Sequence, residues 1–600
     1  MRTTRALLLC LFATLLSPGT AWSVEWRFDD VSRIVAIADI HGAYDAMLQT
    51  LQQAEVIDAD SHWSGADTHL VIAGDMIDRG PGSRAVMDLL MKLEGEAEAV
   101  GGRVHVLIGN HETMPMTGDM RYVSAAEYQA FADDEDAAER QRWFDLYLEK
   151  NGGDAALLRQ RFDKKFPVGY FAMRRAFRHD GHYGKWLLEK NIIVVINGTA
   201  FVHGGLSPLV TELGLQGING TLKDELIHFV RVLGELADAE IIAPTDSHYD
   251  YKTLLQNYLP ALSDDSATLQ AVKAAIRLNE SDLLGSKGPL WYRENVVCPG
   301  IIAGYQLDQA LAAIGAERVV VGHTPTPNRK VLQRFDGRLI EIDTGMLHFY
   351  YKGSGNALLI EGDSTVVINQ ASDARTLPIA HPRNVGRRAG SLTTAQLEAL
   401  LQSGELAVVE VPEESDQLRV QQDGVSVQVV FTEREGRGFY PGVAAYRLDR
   451  MLQLDMVPVA VKRVVGGQDG YLQFIPENTL NEGERSSAGL GGDANCPLPK
   501  QWSAMYLFDT LIYNQVRLLE QMNYDRYSWQ LILSDHETAF ATRKGRPGRL
   551  AKAPLEITAG WRSALSQLDD EQLKDSLGDV LDKRRLRALG ARRDELLAIE

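Results

Sequence analysis

Six side chains in the first half of the chain are of types that bind divalent metal ions, and each follows a short apolar run. They are Asp39, His41, Asp75, Asn110, His203 and His323. Taken singly, a D-x-H pair or a lone histidine is expected by chance in a chain of this length. Together they follow five separate runs, and their nitrogen and oxygen donors suit manganese, iron or zinc. The pattern therefore predicts a metal centre.

The stretch GDMIDRGPGS, residues 74–83, places Asp75, Asp78 and Arg79 in one glycine-bounded turn after the apolar run HLVIA. A carboxylate in such a turn can bridge two ions that lie roughly 3.5 to 4 Å apart. If Asp75 is the bridge, the other candidates divide between two sites: Asp39 and His41 in the first, and Asn110, His203 and His323 in the second.

The elements that must position these residues are β-rich runs alternating with helical patterns, which predicts an α/β domain with mixed sheets. The runs are RIVAIADIHG (33–42), HLVIAGDMIDRG (69–80), RVHVLIGNHE (103–112), IIVVINGTAFVHGG (192–205), RVVVGHTP (318–325) and LIEIDTGM (339–346). Function collects beyond the carboxyl ends of strands in such sheets, which is where the polar clusters fall. Residues 124–190 and 209–290 are charged and helix-patterned, and we expect them to be insertions beside the site.

The blocks DIHG, GDMIDRG, GNHE, HGGLSP and GHTP resemble the metallophosphoesterases, and most closely the phosphoprotein phosphatase family. GNHETMPMTGDMRYV and the later GPLWYRE are similar to the bacterial-type branch called Shewanella-like protein phosphatases. The resemblance covers about residues 31–365. It implies a calcineurin-like β-sandwich flanked by helices, which we place at residues 24–375.

Position by position, the resemblance implies two divalent ions, manganese, iron or zinc. Asp39, His41 and Asp75 would hold the first, and Asp75, Asn110, His203 and His323 the second. It also implies that His111 is the general acid, held by Asp78. The chemistry agrees, because an imidazolium with a pKa near 6.5 can protonate a leaving oxygen, and a neighbouring carboxylate orients it.

Three arginines are candidate phosphate-binding groups. Arg79 lies in the same turn as Asp78, and its guanidinium can donate hydrogen bonds to two phosphate oxygens at once. It could instead form a capping ion pair. Arg121 in GDMRY and Arg293 in LWYRE are further candidates, and a structural ion pair is the alternative for each. Asp119 could anchor Arg121. His248 and Tyr249 are assigned no role.

The predicted function is a metal-dependent phosphomonoesterase, a protein phosphatase that uses a hydroxide bound by two metals and acts on phosphorylated proteins or peptides. One alternative is a hydrolase of dinucleoside polyphosphates or nucleotides, since relatives with the same ligands cleave such anhydrides. Another is a binding or scaffold protein that acts through its C-terminal half.

The second half of the chain, residues 394–600, is expected to be a separate α+β domain after a linker at residues 376–393, where periodicity is lost. It faintly resembles the atypical kinase fold of HipA-type and secretory-pathway kinases. Thr432, Gly442 and Val516 stand where an active kinase would carry a lysine, a glutamate and an aspartate. We therefore predict an inactive kinase-like domain, with Asp535 as its one remaining candidate metal ligand.

Composition limits the partners. The chain has 600 residues and a formal net charge of -19, which argues against broad binding to nucleic acid or to anionic membranes. Residues 1–23 have the layout of a signal peptide and predict an exported, periplasmic or secreted protein; an uncleaved anchor and a lipoprotein signal at Cys10 are the weaker alternatives. Cys298 and Cys496 could pair or stay free. The sequence does not determine the oligomeric state.

Overall fold

The computed structural model describes residues 26–262, 266–381, 392–409, 417–434, 436, 438–492, 494–552 and 555–599. The predicted signal peptide lies outside the described residues, as does most of the predicted linker. Buried apolar side chains form separate cores before and after that linker. Ile301 and Cys496 are exceptions, because each joins the core of the other part of the chain.

Two sheets build the N-terminal part. In chain order the strands are β1 (Arg27–Phe28), β2 (Ile34–Ile37), β3 (His69–Ile72), β4 (Arg103–Val106), β5 (Ile193–Ile196), β6 (Thr199–Val202), β7 (Arg318–Val321), β8 (Leu332–Arg334), β9 (Leu339–Glu341), β10 (Asn356–Glu361), β11 (Ser364–Asn369), β12 (Ser372–Thr376) and β13 (Ile379–Ala380). The larger sheet has the order β1-β5-β6-β7-β9-β8-β13, and the smaller has the order β12-β11-β10-β2-β3-β4.

The sheets pack face to face, with helices outside. Ile34 and Ala36 of β2 share one buried cluster with Val320 of the other sheet, whereas the alternating Val35 and Ile37 pack in the helix-side core. This two-residue alternation is what a strand between a sandwich core and a helical layer requires. The predicted helix-flanked β-sandwich is confirmed.

Parallel pairing brings strand ends together. In the smaller sheet Ile37 pairs with Ile72, and Ile72 pairs with Val106. In the larger sheet Val202 pairs with Val321. Since β2, β3 and β4 run in one direction, as do β6 and β7, the loops after these strands collect at one edge of each sheet.

The run at residues 192–205, predicted as β-rich, is a hairpin. Its two strands, β5 and β6, pair antiparallel, and Asn197 and Gly198 form the connection with φ of 47° and 71°. An Asn-Gly pair with positive φ at both positions is the favoured two-residue hairpin turn.

Helices fill the predicted insertions. In chain order they are α1 (Tyr44–Gln53), α2 (Ser83–Glu98), α3 (Asn110–Thr117), α4 (Ala125–Gln129), α5 (Ala137–Asn151), α6 (Ala155–Lys165), α7 (Tyr170–Ala176), α8 (His182–Glu189), α9 (Pro208–Gly217), α10 (Lys223–Asp238), α11 (Tyr251–Tyr258), α12 (Ala267–Leu278), α13 (Glu294–Val297), α14 (Gly300–Ile314) and α15 (His348–Tyr351). Helices α4–α8 form the first insertion, and α9–α12 form the second.

The C-terminal part is α+β. Its strands are β14 (Glu405–Val409), β15 (Gln417–Gln422), β16 (Val425–Glu433), β17 (Ala460–Val465), β18 (Gln468–Phe474), β19 (Thr479–Asn481), β20 (Met522–Asp525) and β21 (Leu531–Leu533). Its helices are α16 (Thr394–Ser403), α17 (Pro441–Met451), α18 (Glu482–Ser487), α19 (Leu498–Leu511), α20 (Ala559–Gln567), α21 (Asp570–Leu577) and α22 (Lys583–Leu597). An antiparallel sheet of order β14-β15-β16-β18-β17 lies beside a smaller one, β19-β20-β21.

A disulfide between Cys298 and Cys496 joins the two parts, which answers the question that the sequence left open. Beside it Lys500 Nζ lies 2.6 Å from a carboxylate oxygen of Glu294. The backbone N–H of Ile301 also crosses the junction and donates to the carbonyl of Gln453. Among the described helices, none has both the length and the apolar character needed to cross a bilayer.

Candidate metal centre

The six predicted ligands lie just after strands of the two sheets. His203 lies among three of the others. Its Nε2 atom is 3.1 Å from Asp75 Oδ1, 2.9 Å from Asn110 Oδ1 and 3.1 Å from His323 Nδ1. His203 is fully buried, and its Nδ1 lies 2.8 Å from the carbonyl of Ala73, which leaves Nε2 facing the cluster. A histidine held through Nδ1 in this way is oriented to bind a metal through Nε2.

Asp75 is common to two groups of potential ligands. His203 and His323 accompany it in one group, and His41 and His111 accompany it in the other. On the second side, Asp75 Oδ2 lies 3.7 Å from His41 Nε2 and 3.8 Å from His111 Nε2. Its two oxygens therefore face different partners, as a bridging carboxylate requires.

The backbone at the site is strained. Positive φ angles between 48° and 71° occur at Asp39, His41, Asp75, Asp78, Arg79 and His323. A non-glycine residue in this conformation costs roughly 1 to 2 kcal/mol, and such residues cluster at functional sites. The strain lies in the loops just after β2, β3 and β7, which supports a functional reason for these loops.

The carboxylates are crowded. Both oxygens of Asp39 accept the backbone N–H of His323, at 3.0 and 2.9 Å. Burial, then the charges of Asp343 and Asp75, raise the pKa of Asp39 well above its ordinary value. Burial also favours a higher pKa for Asp75, but the neighbouring His203 and His111 outweigh it and hold the pKa low. Buried acids this close together favour a bound cation.

Two of the histidines are held neutral. Burial lowers the pKa of His41 and of His323 well below the ordinary value. The Nε2 atom of His323 is buried and has no hydrogen-bond partner among the described residues. A neutral imidazole is the form that binds a metal, and an unpartnered buried nitrogen calls for a partner. The side chains present therefore fit divalent ions.

The predicted acid group stands beside this cluster. His111 Nδ1 lies 2.6 Å from Asp78 Oδ2, and both side chains are buried. Arg79 Nη1 is 2.6 Å from His41 Nε2 and also contacts the hydroxyl of Tyr351. The turn at residues 74–83 thus carries a carboxylate shared by the clusters, the partner of His111 and a cation next to His41.

The other two arginines differ. Arg293 is partly buried and donates to the carbonyl of His323 and to the hydroxyl of Thr324, both at 2.9 Å. In this structure it braces a ligand loop. Arg121 pairs with Asp119 at 2.9 Å and lies 5.4 Å from the ring of the exposed Tyr249 and 5.2 Å from the ring of Tyr122, which Arg79 also contacts. Their assignment to phosphate stays a prediction.

Residues 32–231 match the family model of the calcineurin-like phosphoesterases. The chain contains a calcineurin-like phosphoesterase domain. The match includes the loops that carry Asp39, Asp75, Asn110 and His203.

Curated relatives of this phosphoesterase domain include two phosphatases. Shewanella-like protein phosphatase 2 of Arabidopsis thaliana is 35% identical over 214 residues, which are 33% of this chain and 52% of that protein. Shewanella-like protein phosphatase 1 of Plasmodium berghei is 25% identical over 54% of this chain and 69% of its own length. The chain thus spans about half the length of the Arabidopsis relative.

Among solved structures, a cold-active protein-tyrosine phosphatase of a psychrophilic Shewanella species is 24% identical. The alignment covers 58% of this chain and 81% of that one, with a TM-score of 0.35.

Several residues of the phosphoesterase site were not singled out from the sequence. Glu112 accepts the backbone N–H groups of Asp75, Met76 and Gly109 at 2.9, 2.8 and 2.7 Å, so it fixes the turn and the start of α3. Burial, then the charge of Asp75, raises its pKa to about 7.

Asp343 is another missed residue. It follows β9, and burial raises its pKa to about 6. Asp343 obeys the same strand-end rule that identified the ligands.

A second missed glutamate supports the Asp78 turn. Glu127 accepts the backbone N–H of Asp78 at 2.9 Å and contacts the hydroxyl of Ser83. It also caps α4 with Ser124, and this helix-start signal is visible in the sequence as S-A-A-E. This pattern predicts the helix cap. It does not predict the hydrogen bond from the backbone N–H of Asp78, because residues 78 and 127 are far apart in the sequence.

The kinase-like interpretation of residues 394–600 is supported by none of these matches and stays a prediction. Asp535, its candidate metal ligand, contacts Gln521 and has a φ of 58°. Val516, which stands where an active kinase would carry an aspartate, is 41% exposed. Thr432 Oγ1 lies 3.4 Å from Glu537 Oε1.

Proposed function

We propose that this protein is a metal-dependent phosphatase that hydrolyses phosphate monoesters on proteins or peptides. The observation that carries the proposal is that Asp75 is shared by two groups of buried potential ligands, one of which includes His111, with Arg79 next to His41. The phosphoesterase match and the two phosphatase relatives support the same class of reaction.

We assign the side chains to two ions in the division that the sequence predicts. Asp39, His41 and Asp75 would hold one, and Asp75, Asn110, His203 and His323 would hold the other. When bound, divalent ions lower the pKa of a coordinated water from 15.7 to as little as about 7 and polarise phosphoryl oxygens. The nitrogen and oxygen donors favour manganese, iron or zinc.

The remaining groups act on the substrate directly. His111 would donate the proton at Nε2 to the leaving oxygen, because Nδ1 faces the Asp78 carboxylate. Arg79 would bind two phosphate oxygens through its planar fork, and the rings of Tyr122 and Tyr351, 4.9 and 5.5 Å from its guanidinium carbon, restrict its position. The phosphate would thus meet a cation that the fold already holds in place.

We further propose export to an oxidising compartment, the periplasm or the exterior. The Cys298–Cys496 disulfide supports this, because such bonds persist outside reducing compartments. The signal-like residues 1–23 point the same way. The net charge of -19 speaks against nucleic acid as the substrate.

The test is an assay of the purified protein with added manganese on phosphoserine, phosphothreonine and phosphotyrosine peptides and on diadenosine tetraphosphate. We predict that the protein releases phosphate from peptides. The His111→Asn variant should lose this activity but keep its bound metal. General-acid loss should lower kcat by about 100-fold or more. Hydrolysis of diadenosine tetraphosphate alone would overturn the protein substrate, and an unchanged kcat in His111→Asn would remove the acid role.

A further inference from the structure

A cavity lies between the two helical insertions, at the end of α3 farther from the metal centre. It has a volume of about 660 Å³ and is lined by the C-terminal half of α3, by α5, α7 and α10, and by Tyr251. We call it the insertion chamber. Small-molecule sites occupy roughly 300 to 1,000 Å³. None of its lining residues is a predicted metal ligand, so it is distinct from the proposed active site.

The charge of the chamber is unevenly compensated. Four arginines line it: Arg142, Arg174, Arg175 and Arg178. Three of them have carboxylate partners: Glu240 for Arg142, Glu139 for Arg175, and Asp180 and Asp238 for Arg178. Among the described residues Arg174 has no carboxylate partner.

The guanidinium of Arg174 is held in place but not satisfied. Its Nη2 lies 3.2 Å from the hydroxyl of Tyr251, while Nη1 is buried without a hydrogen-bond partner. Gly118 packs directly on both groups, since a Cβ there would lie 2.6 Å from Arg174 Nη1 and 2.7 Å from the Tyr251 oxygen. The side chain is only partly buried, but a buried guanidinium nitrogen without an acceptor is costly, and an anion in the adjoining chamber could supply one.

The walls of the chamber suit an apolar body. Trp143, Phe171 and Leu233 are buried and line it. The paired charges stand farther out, and Arg142 and Glu240 have side-chain exposures of 54% and 64%. A ligand entering between these pairs would meet apolar side chains and then the one uncompensated cation.

We propose that the insertion chamber binds a small organic anion. Its carboxylate or phosphate group pairs with Arg174 and Tyr251, and its apolar part packs against Trp143, Phe171 and Leu233. Because Nη1 is covered by neighbouring atoms in this structure, the anion engages it after a small rotation of the guanidinium. The proposal is independent of the proposed phosphatase activity.

The test is isothermal titration of the full manganese-loaded chain with benzoate and with phenylphosphonate. We expect one of these probes to bind the chamber at a stoichiometry of one. Arg174→Met should weaken that binding about tenfold or more, since it removes a charge-assisted bond. Arg175→Met is the matched control, because Arg175 is already paired with Glu139, and it should change the affinity less than about twofold.

Two further variants keep the result interpretable. Arg79→Met removes a cation from the metal centre and should leave chamber binding unchanged. Ala237→Trp fills the chamber from α10 while keeping Arg174, and it should abolish binding even if Arg174→Met does not fold. Failure of both probes to bind the wild type overturns the proposal. Equal affinity in wild type and Arg174→Met, or full affinity in Ala237→Trp, does so as well.

Discussion

His111 Nδ1 lies 2.6 Å from Asp78 Oδ2 in a site where both side chains are buried. The contact fixes which imidazole nitrogen faces the carboxylate, so Nε2 is left toward Asp75, 3.8 Å away. A proton donor positioned this way depends on its partner for orientation as well as charge.

Replacing that partner should separate orientation from metal binding. In Asp78→Asn the imidazole loses its charged acceptor, and we expect kcat to fall about 10- to 100-fold with little change in bound metal. Steady-state kinetics with metal analysis of the same preparation measures both. If kcat is kept, Asp78 does not position the acid.

The Glu112 carboxylate is expected to be essential to the shape of the site. Glu112→Gln keeps the size but offers one oxygen in place of two, so at least one of the three backbone N–H groups loses its acceptor and faces another donor. The free energy of unfolding should fall by about 1 to 3 kcal/mol. Denaturant titration measures this loss. As a control, Glu98→Gln changes an exposed glutamate at the end of α2 and should change the stability by less than about 0.5 kcal/mol.

The C-terminal domain contains a buried carboxyl that should make stability depend on pH. Asp449 Oδ1 accepts the N–H groups of Met456 and Val457 at 2.8 and 3.0 Å. Burial, then the charge of Asp455, raises its pKa to about 7. The unfolded side chain has a pKa of about 3.9, so between these values the folded state holds the extra proton. The free energy of unfolding should therefore fall as the pH rises through this window.

Asp449→Asn cannot take up or release that proton. From about pH 5 to pH 7 we expect the wild type to lose about 2 kcal/mol relative to this variant. Urea titrations at several pH values, monitored by a probe of the C-terminal domain, measure the difference. Parallel pH profiles for the two proteins would mean that Asp449 is charged throughout.

The disulfide should stabilise the junction of the two domains. It closes a loop of 198 residues between Cys298 and Cys496. Serine at both positions should lower the free energy of unfolding by about 2 to 5 kcal/mol, seen as a lower melting temperature in calorimetry. Lys500→Met, which removes only the exposed ion pair with Glu294, should cost about 1 kcal/mol or less. Equal effects of the two changes would show that the cross-link adds nothing.

The sequence predicts which side chains gather at the candidate metal centre, because strand ends follow from local patterns. Asp39, Asp75 and Asn110 each come after an apolar run, and parallel pairing then brings them together. The same rule applied to LIEIDTGM would have added Asp343. What the sequence could not indicate are properties set by tertiary packing, such as the positive φ of His41 and Arg79.

Long-range contacts were equally out of reach. No sequence pattern near Glu127 predicts its hydrogen bond to the backbone of Asp78, because the packing of α4 alone brings these two residues together. The sequence leaves the pairing of Cys298 with Cys496 open, since spacing along the chain does not determine distance in the fold. The apolar pattern predicts only a β-rich run at residues 192–205, although the Asn-Gly pair at residues 197–198 is itself a hairpin signal.

The most direct test is a crystal structure of the protein grown with manganese, with anomalous scattering used to locate the ions. Two peaks roughly 3.5 to 4 Å apart, one on each side of the Asp75 carboxylate, are predicted. Asp39 and His41 should contact the first ion, and Asn110, His203 and His323 the second. An empty site, or a single ion that does not contact Asp75, would contradict the account.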